Sequence, residues 1–182
     1  DLVQRVNLAL KEKREREELV NKATFDNLTK AYSKNNFDDV FKKAIDDAVK
    51  YYGGNLGVTF LDLKKFKELN DKYGQSRGDE HLKNVAGLLS NAISDFVGAI
   101  RSTDYLIRVG GDEFIILSPG LTNDKAGLLQ GRIKTGVDKY NGSVTNPDLY
   151  VNLHIGTFCG NKEYTNLYEQ ANAKMLEGKR KT

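Results

Sequence analysis

A chain of 182 residues is long enough for one domain with a short extension and a sizeable core. Hydrophobic residues at 39%, charged residues at 29% and a net charge of +3 fit an ordinary globular protein and give no overall preference for nucleic acid or a membrane surface. The single cysteine, Cys159, excludes an internal disulfide and a cysteine-only metal site.

The first stretch, Leu8 to Ala23, is helical in composition, with alternating charge signs and no glycine or proline. Val3, Val6, Leu10 and Val20 fit heptad positions, whereas Lys13 and Glu17 interrupt the seam, so residues 1–24 read as a solvated helix or as a helical stalk or linker with a weak coiled-coil stripe. Phe37, Val40, Phe41, Ala44, Ile45, Ala48 and Val49 repeat at helical spacing and predict an amphipathic helix over about 35–51, ended by Gly53 and Gly54. The apolar run Asn55 to Leu63 predicts a buried strand, and Leu82, Val85, Ala86, Leu89 and Ile93 mark a second helix. Asp104 to Leu117 reads as a β-hairpin, with Gly110-Gly111 as a two-residue type I′ turn at positive φ. Leu129, Ile133 and Val137 outline a third helix. Leu149 to Phe158 alternates as a half-buried strand, and a last helix runs from about Asn166. Interspersed strands and helices predict an α/β (α+β) domain over 25–182, one mixed central sheet with helices packed on it.

The chemistry-bearing residues fall in three places. The strand delivers Asp62 near its C-terminal end, and the hairpin delivers Asp112 and Glu113 at its tip. If those strands are neighbours, Asp62 and Asp112 meet, and oxygen-only donors suit Mg²⁺ or Mn²⁺, two of which fit an in-line attack on a phosphate. Two unconnected surface acids are the alternative. Between Asp62 and Leu82, Lys65, Phe66 and Lys67 form a turn offering backbone N–H groups and two ammonium groups to a polyphosphate. Asn70 and Asp79 follow, an amide and a carboxylate of the kind that reads a guanine edge, with Gly74 and Gly78 loosening the chain between them. Loop and cap chemistry accounts for the same pair. Arg101 and Asp104 are three apart, as a helix-end ion pair or as an arginine fork aimed at a ligand. His81 and His154, the only histidines, read as packing or surface residues.

"RVGGDEF" after "D-L-x-x-F-K-x-x-N-D-x-x-G-x-x-x-G-D" resembles the GGDEF-domain diguanylate cyclases, which condense two GTP into cyclic di-GMP and have a nucleotidyl-cyclase, ferredoxin-like core. The likeness runs from "ATFDNLT" to the final helix. It implies that Asp62 and Asp112 are metal carboxylates for two Mg²⁺ or Mn²⁺ ions per site, with the Leu63 carbonyl as a further ligand. Glu113 would bind metal or activate the attacking 3′-hydroxyl. Gly110 and Gly111 would let the triphosphate approach, Asn70 and Asp79 would hold guanine, and Lys67 and Lys179 would bind phosphates. Arg108 matches the family's arginine before the signature, while Arg101, Asp104 and Arg132 match its inhibitory product site.

Several positions depart from the family's pattern. Lys64 stands where a second Asp is usual and Gln75 where His is usual; "LTKAYSKNNF" lacks "G-L-x-N-R-R", and "ANAKMLEGKRKT" ends before "G-R-N", whose arginine binds phosphate. The implied function is a cyclase acting as a homodimer on GTP, with cyclic di-GMP as product and inhibitor, downstream of a sensory domain. A catalytically weak module that senses cyclic di-GMP or GTP is the alternative. No run approaches the roughly 20 apolar residues of a membrane span and no signal-peptide core is present. A cytoplasmic place is therefore expected, either free or as the output domain of a membrane-bound protein, with no membrane or nucleic-acid contact from this segment.

Overall fold

The computed structural model describes residues 1–94, 104–162 and 164–180, with only the backbone over 16–19 and 21–23. Helix α1 (Leu2–Thr24) leads into strand β1 (Tyr32–Ser33), α2 (Phe37–Tyr51), β2 (Asn55–Leu63), α3 (Phe66–Tyr73) and α4 (Gln75–Ser94). Then come β3 (Tyr105–Arg108), β4 (Glu113–Pro119), α5 (Ala126–Ser143), β5 (Leu153–Asn161) and α6 (Leu167–Arg180). The five strands form one sheet in the order β1-β3-β4-β2-β5, with β1 parallel to β3 and the other neighbours antiparallel. The mixed sheet flanked by helices is as expected.

Period-two alternation along β2 assigns its side chains to two cores. Leu56, Val58 and Phe60 pack with Val40, Ala44 and Ala48 of α2 and with Leu167, Ala171 and Met175 of α6. Leu61 and Leu63 pack with Leu82, Val85 and Leu89 of α4 and with Leu129 and Ile133 of α5. Covered on both faces, β2 has to be apolar along almost its whole length. Each fully buried Leu, Val or Phe contributes roughly 1.5–3 kcal/mol. In α2, Asp38 and Asp39 in the first turn and Lys50 in the last complement the helix dipole.

Helix α6 lies unusually close to β5. A Cβ on Gly156 would come within 2.8 Å of the Met175 Cα, and closer still to the Met175 amide nitrogen and the Ala171 carbonyl. Cys159 is buried on β5, and burial pushes its thiol up to about 11.

Four local expectations need correction. Residues 66–73 are a helix, not a turn, starting after Lys65 at a left-handed φ of 60°. Gly74 ends that helix at φ 82°, whereas Gly78 lies inside α4, which starts at Gln75. The Gly110-Gly111 turn is not the two-residue type: Arg108 pairs with Phe114, the Val109 amide donates to the Glu113 carbonyl, and neither glycine has positive φ. Strand β5 begins at Leu153 after a 3₁₀ turn at Pro147–Leu149, not at Leu149.

Candidate active site

The register brings the acids together. Asp62 lies opposite Glu113 on β4 and opposite His154 on β5. The Leu63 amide donates to the Asp112 carbonyl at 3.2 Å, which ties the end of β2 to the signature turn. Asp62 is only 4% exposed. Burial and the negative charge of Asp62 push the Asp112 carboxyl above its ordinary range, against smaller opposing effects of Lys179 and Arg108. The two carboxylates thus share one electrostatic site, as the sequence suggested.

Both line an open cleft of about 990 Å³. Its walls carry Leu63 from the end of β2, Lys64 and Lys65 from the turn, Phe66 and Lys67 from the start of α3, and Lys72 and Tyr73 from its end. The opposite wall comes from Asp148, Tyr150, Asn152 and His154, and Lys179 reaches in from α6. The Lys179 ammonium donates to Asp62 Oδ1 at 2.8 Å. Lys72 and the Tyr73 hydroxyl both bond Asp148, pinning the strap before β5 against α3. Five lysines and four acids (Asp62, Glu68, Asp112 and Asp148) line the cleft, and the cluster of Lys64, Lys65 and Lys67 is the part of its wall that favours an anion.

Other expected site residues lie apart from this cleft. Asn70 and Asp79 do not line it, although Leu69 and His81 do. Asn70 folds over Gly78, where any Cβ would collide with its Oδ1, so the absent side chain makes room for the amide. The Asn70 Oδ1 is buried without a hydrogen-bond partner. Glu113 faces a second cavity of about 310 Å³, shared with Lys34, Phe37, Asp38, Val109 and Tyr168. A Cβ on Gly110 would approach the Glu113 Oε2 to 2.5 Å, so the carboxylate folded back over this glycine, and not the glycine's own φ, is what a side chain here would displace. A Cβ on Gly111 would meet nothing within 4 Å, so that position stands open.

Arg108 braces the signature turn. Its guanidinium donates to Asp26 Oδ1 at 3.1 Å and to the Gly111 carbonyl at 2.8 Å. Asp26 also accepts from the Thr29 amide and hydroxyl, and these bonds, with Arg108, hold its carboxyl below the ordinary range despite burial. Of the expected inhibitory site, Arg101 lies outside the described residues. Burial lifts the Asp104 carboxyl to about 6, while the Ser118 hydroxyl and the positive charge of Arg132 pull the other way.

Both histidines, expected as packing or surface residues, line the cleft. Burial lowers each below the ordinary range; Arg77 adds to this for His81, and Lys64 for His154. Only the strand register, which sets His154 opposite Asp62, could have revealed the second of these.

Among the described residues, no group of three or more His, Cys, Asp or Glu is gathered to hold a metal. Mg²⁺ is commonly held by one or two carboxylates together with substrate phosphates, and Asp62 with Asp112 matches that donor set. The cation already bonded to Asp62, the Lys179 ammonium, points the same way. The oxygen donors fit a hard divalent ion.

Comparison with known proteins agrees with this reading of the fold. The family model described as diguanylate cyclase, GGDEF domain, matches residues 23–182. The chain belongs to the GGDEF-domain diguanylate cyclase family. It is 33% identical over 159 residues to the diguanylate cyclase DosC of Escherichia coli (strain K12), covering 86% of this chain and 33% of that protein. With the diguanylate cyclase DgcS of Shewanella oneidensis the identity is 32% over 163 residues, 90% of this chain and 52% of the relative. The chain therefore spans about a third to a half of these relatives. Among solved structures, the coiled coil and GGDEF domain of DgcB from Caulobacter crescentus, in complex with c-di-GMP, superposes with a TM-score of 0.79 at 20% identity. That match covers 99% of this chain and 93% of the other, and at this identity it speaks to the fold. Cyclases of this family use divalent metal ions. No helix among the described residues is long and apolar enough to cross a membrane.

Proposed function

We propose that this chain is a diguanylate cyclase domain that condenses two GTP into cyclic di-GMP and pyrophosphate. The observation that carries the proposal is the pairing of Asp62 with Asp112 at the head of a lysine-walled cleft of about 990 Å³. Asp62 and Asp112, with the Leu63 carbonyl, would hold Mg²⁺ or Mn²⁺, two ions per site. Such ions lower the pKa of a 3′-hydroxyl and neutralise charge on the α-phosphate.

The rest falls to side chains. Lys65 and Lys67, with the backbone N–H groups at Phe66 and beyond, hold the triphosphate, and Lys179 joins them there. Asn70 and Asp79 hold guanine, and the unpartnered Asn70 Oδ1 is an acceptor that a base N–H satisfies. Arg108 acts by positioning, since it fixes the Gly111 carbonyl and thereby the turn carrying Asp112. Glu113, the second acid of the signature, binds metal or activates the 3′-hydroxyl. Each 3′-oxygen forms a bond to the α-phosphorus of the other nucleotide while that phosphorus loses pyrophosphate, so two domains must face each other in a two-fold pair. The α1 helix, with Leu2, Val3, Val6, Leu8 and Leu10 exposed, serves as the stalk that sets whether the halves meet. An upstream sensory domain would act through it.

Product binding is the finer part of the proposal. Asp104 and Arg132, with Arg101, form a cyclic di-GMP site away from the cleft. The same pair supports the second reading, a module that binds cyclic di-GMP without making it. Incubation with GTP and Mg²⁺ across protein concentrations separates the two. A cyclic dinucleotide formed at a rate rising faster than linearly with protein supports the cyclase. No product at high concentration, with cyclic di-GMP still bound, establishes the module.

A further inference from the structure

The Lys179–Asp62 pair joins two residues that the proposed chemistry sends to different partners. An ionised carboxylate with 6% side-chain exposure needs a compensating charge, and the neighbouring Asp112 makes that need greater. The compensation comes from the last turn of α6, where the Lys179 ammonium donates to Asp62 Oδ1 at 2.8 Å. The helix is seated firmly on β5 at Gly156, yet the lysine side chain itself is 42% exposed. The helix that anchors it is packed against the sheet, and its head lies partly open to solvent.

A divalent ion on Asp62 and Asp112 would stand where the ammonium now bonds, and two cations at that distance repel. Resting on the reading of the cleft as a GTP site, we propose that Lys179 is the resting counter-ion of the metal site. It holds Asp62 until metal and nucleotide arrive, then turns to the phosphates. Metal alone must displace the ammonium from a buried carboxylate and gives it no better anion. A triphosphate supplies that anion. Metal and nucleotide are therefore coupled through one side chain, each favouring entry of the other. The site stays charge-compensated without a metal, and free Mg²⁺ does not fill it ahead of substrate.

The test measures the two ligands separately. Mn²⁺ binding to the nucleotide-free chain is followed by the loss of the free-ion electron paramagnetic resonance signal. A GTP analogue with a methylene bridge between the α- and β-phosphates is then titrated at saturating Mn²⁺. Lys179→Met keeps the length and removes the charge. It should bind Mn²⁺ about tenfold more tightly than the wild type, which is about 1.4 kcal/mol, and bind the analogue more weakly. Opposite signs are the signature, because a merely structural lysine would weaken both. Lys64→Met removes a charge from the same cleft without touching the pair and should change Mn²⁺ affinity less than about threefold.

Unchanged or weaker Mn²⁺ binding by Lys179→Met overturns the proposal, as does an equal gain in Lys64→Met. If the Mn²⁺ gain appears but no variant takes up the analogue, the GTP reading fails and the counter-ion role of Lys179 stands. If the wild type binds the analogue and the gain is missing, the counter-ion role alone fails. Absence of Mn²⁺ binding in all three proteins overturns both.

Discussion

Replacing Gly156 by alanine should damage the fold and the site together. The added Cβ would lie 2.8 Å from the Met175 Cα, inside the 3.4 Å at which ordinary contact begins, and nearer still to the Met175 nitrogen and the Ala171 carbonyl. All three are helix backbone, so no rotamer change relieves them. Helix α6 must move outward by roughly 1 Å, and a gap of 0.5–1 Å forfeits about a quarter to a half of each dispersion contact. Leu167, Ala171 and Met175 are the buried residues that lose those contacts. With overpacking strain of about 1–3 kcal/mol, the total comes to roughly 3–4 kcal/mol. For a chain of this size each kcal/mol lowers Tm by roughly 2–4 °C, so a drop of roughly 6–16 °C is expected. The same shift carries Lys179 off Asp62, so GTP turnover should fall even at temperatures where the variant is folded. Circular dichroism melts, alongside turnover measured well below the variant's own Tm, provide the assay. Gly111→Ala is the contrast: with no positive φ and nothing within 4 Å, it should change stability by less than about 0.5 kcal/mol while weakening nucleotide binding. A Gly156→Ala Tm within about 2 °C of wild type would refute the packing argument.

Burial raises the Asp104 carboxyl from 3.8 to about 6, so the folded state holds this proton more tightly than the unfolded one and stability falls as pH rises across that interval. Asp104→Asn should therefore stabilise the fold at pH 7.5, by roughly 1–2 kcal/mol after allowance for partial exposure, with no gain near pH 3.5; an equal gain at both pH values would count against it. Asp26→Ala removes one partner of the part-buried Arg108 guanidinium and both Thr29 bonds. A loss of about 2 kcal/mol is expected, with turnover falling further as the Gly111 carbonyl loosens, and an unchanged thermal melt would argue against the brace. Asp112→Ala should abolish cyclic di-GMP formation while leaving Tm level or slightly higher, since it relieves repulsion from Asp62. Turnover at the wild-type rate would remove Asp112 from the mechanism.

How far the site can be read from the sequence depends on whether its determinants are local. Asp62 and Asp112 are legible because each sits at the end of an apolar run whose strand character is intrinsic, and the two runs pair directly. The turn between β3 and β4 escapes the two-residue turn rule because its pairing closes at Arg108 and Phe114, with the Glu113 side chain folded back over Gly110, and neither glycine takes the positive φ that rule assumes. Helix α3 is hidden by its length: it is 8 residues long and begins after a lysine at positive φ, and its apolar positions Phe66, Leu69 and Tyr73 span only two turns. Pattern alone sets the histidines aside, yet a strand has two faces and β5 turns His154 toward Asp62. Lys179 is the strongest case. Family likeness assigns it a phosphate, but its partner in the fold is a carboxylate 117 positions away. That meeting depends on how closely α6 can approach β5, and hence on a glycine that carries no signal in the sequence. A missing methyl group at position 156 thus governs which charge occupies the metal site at rest.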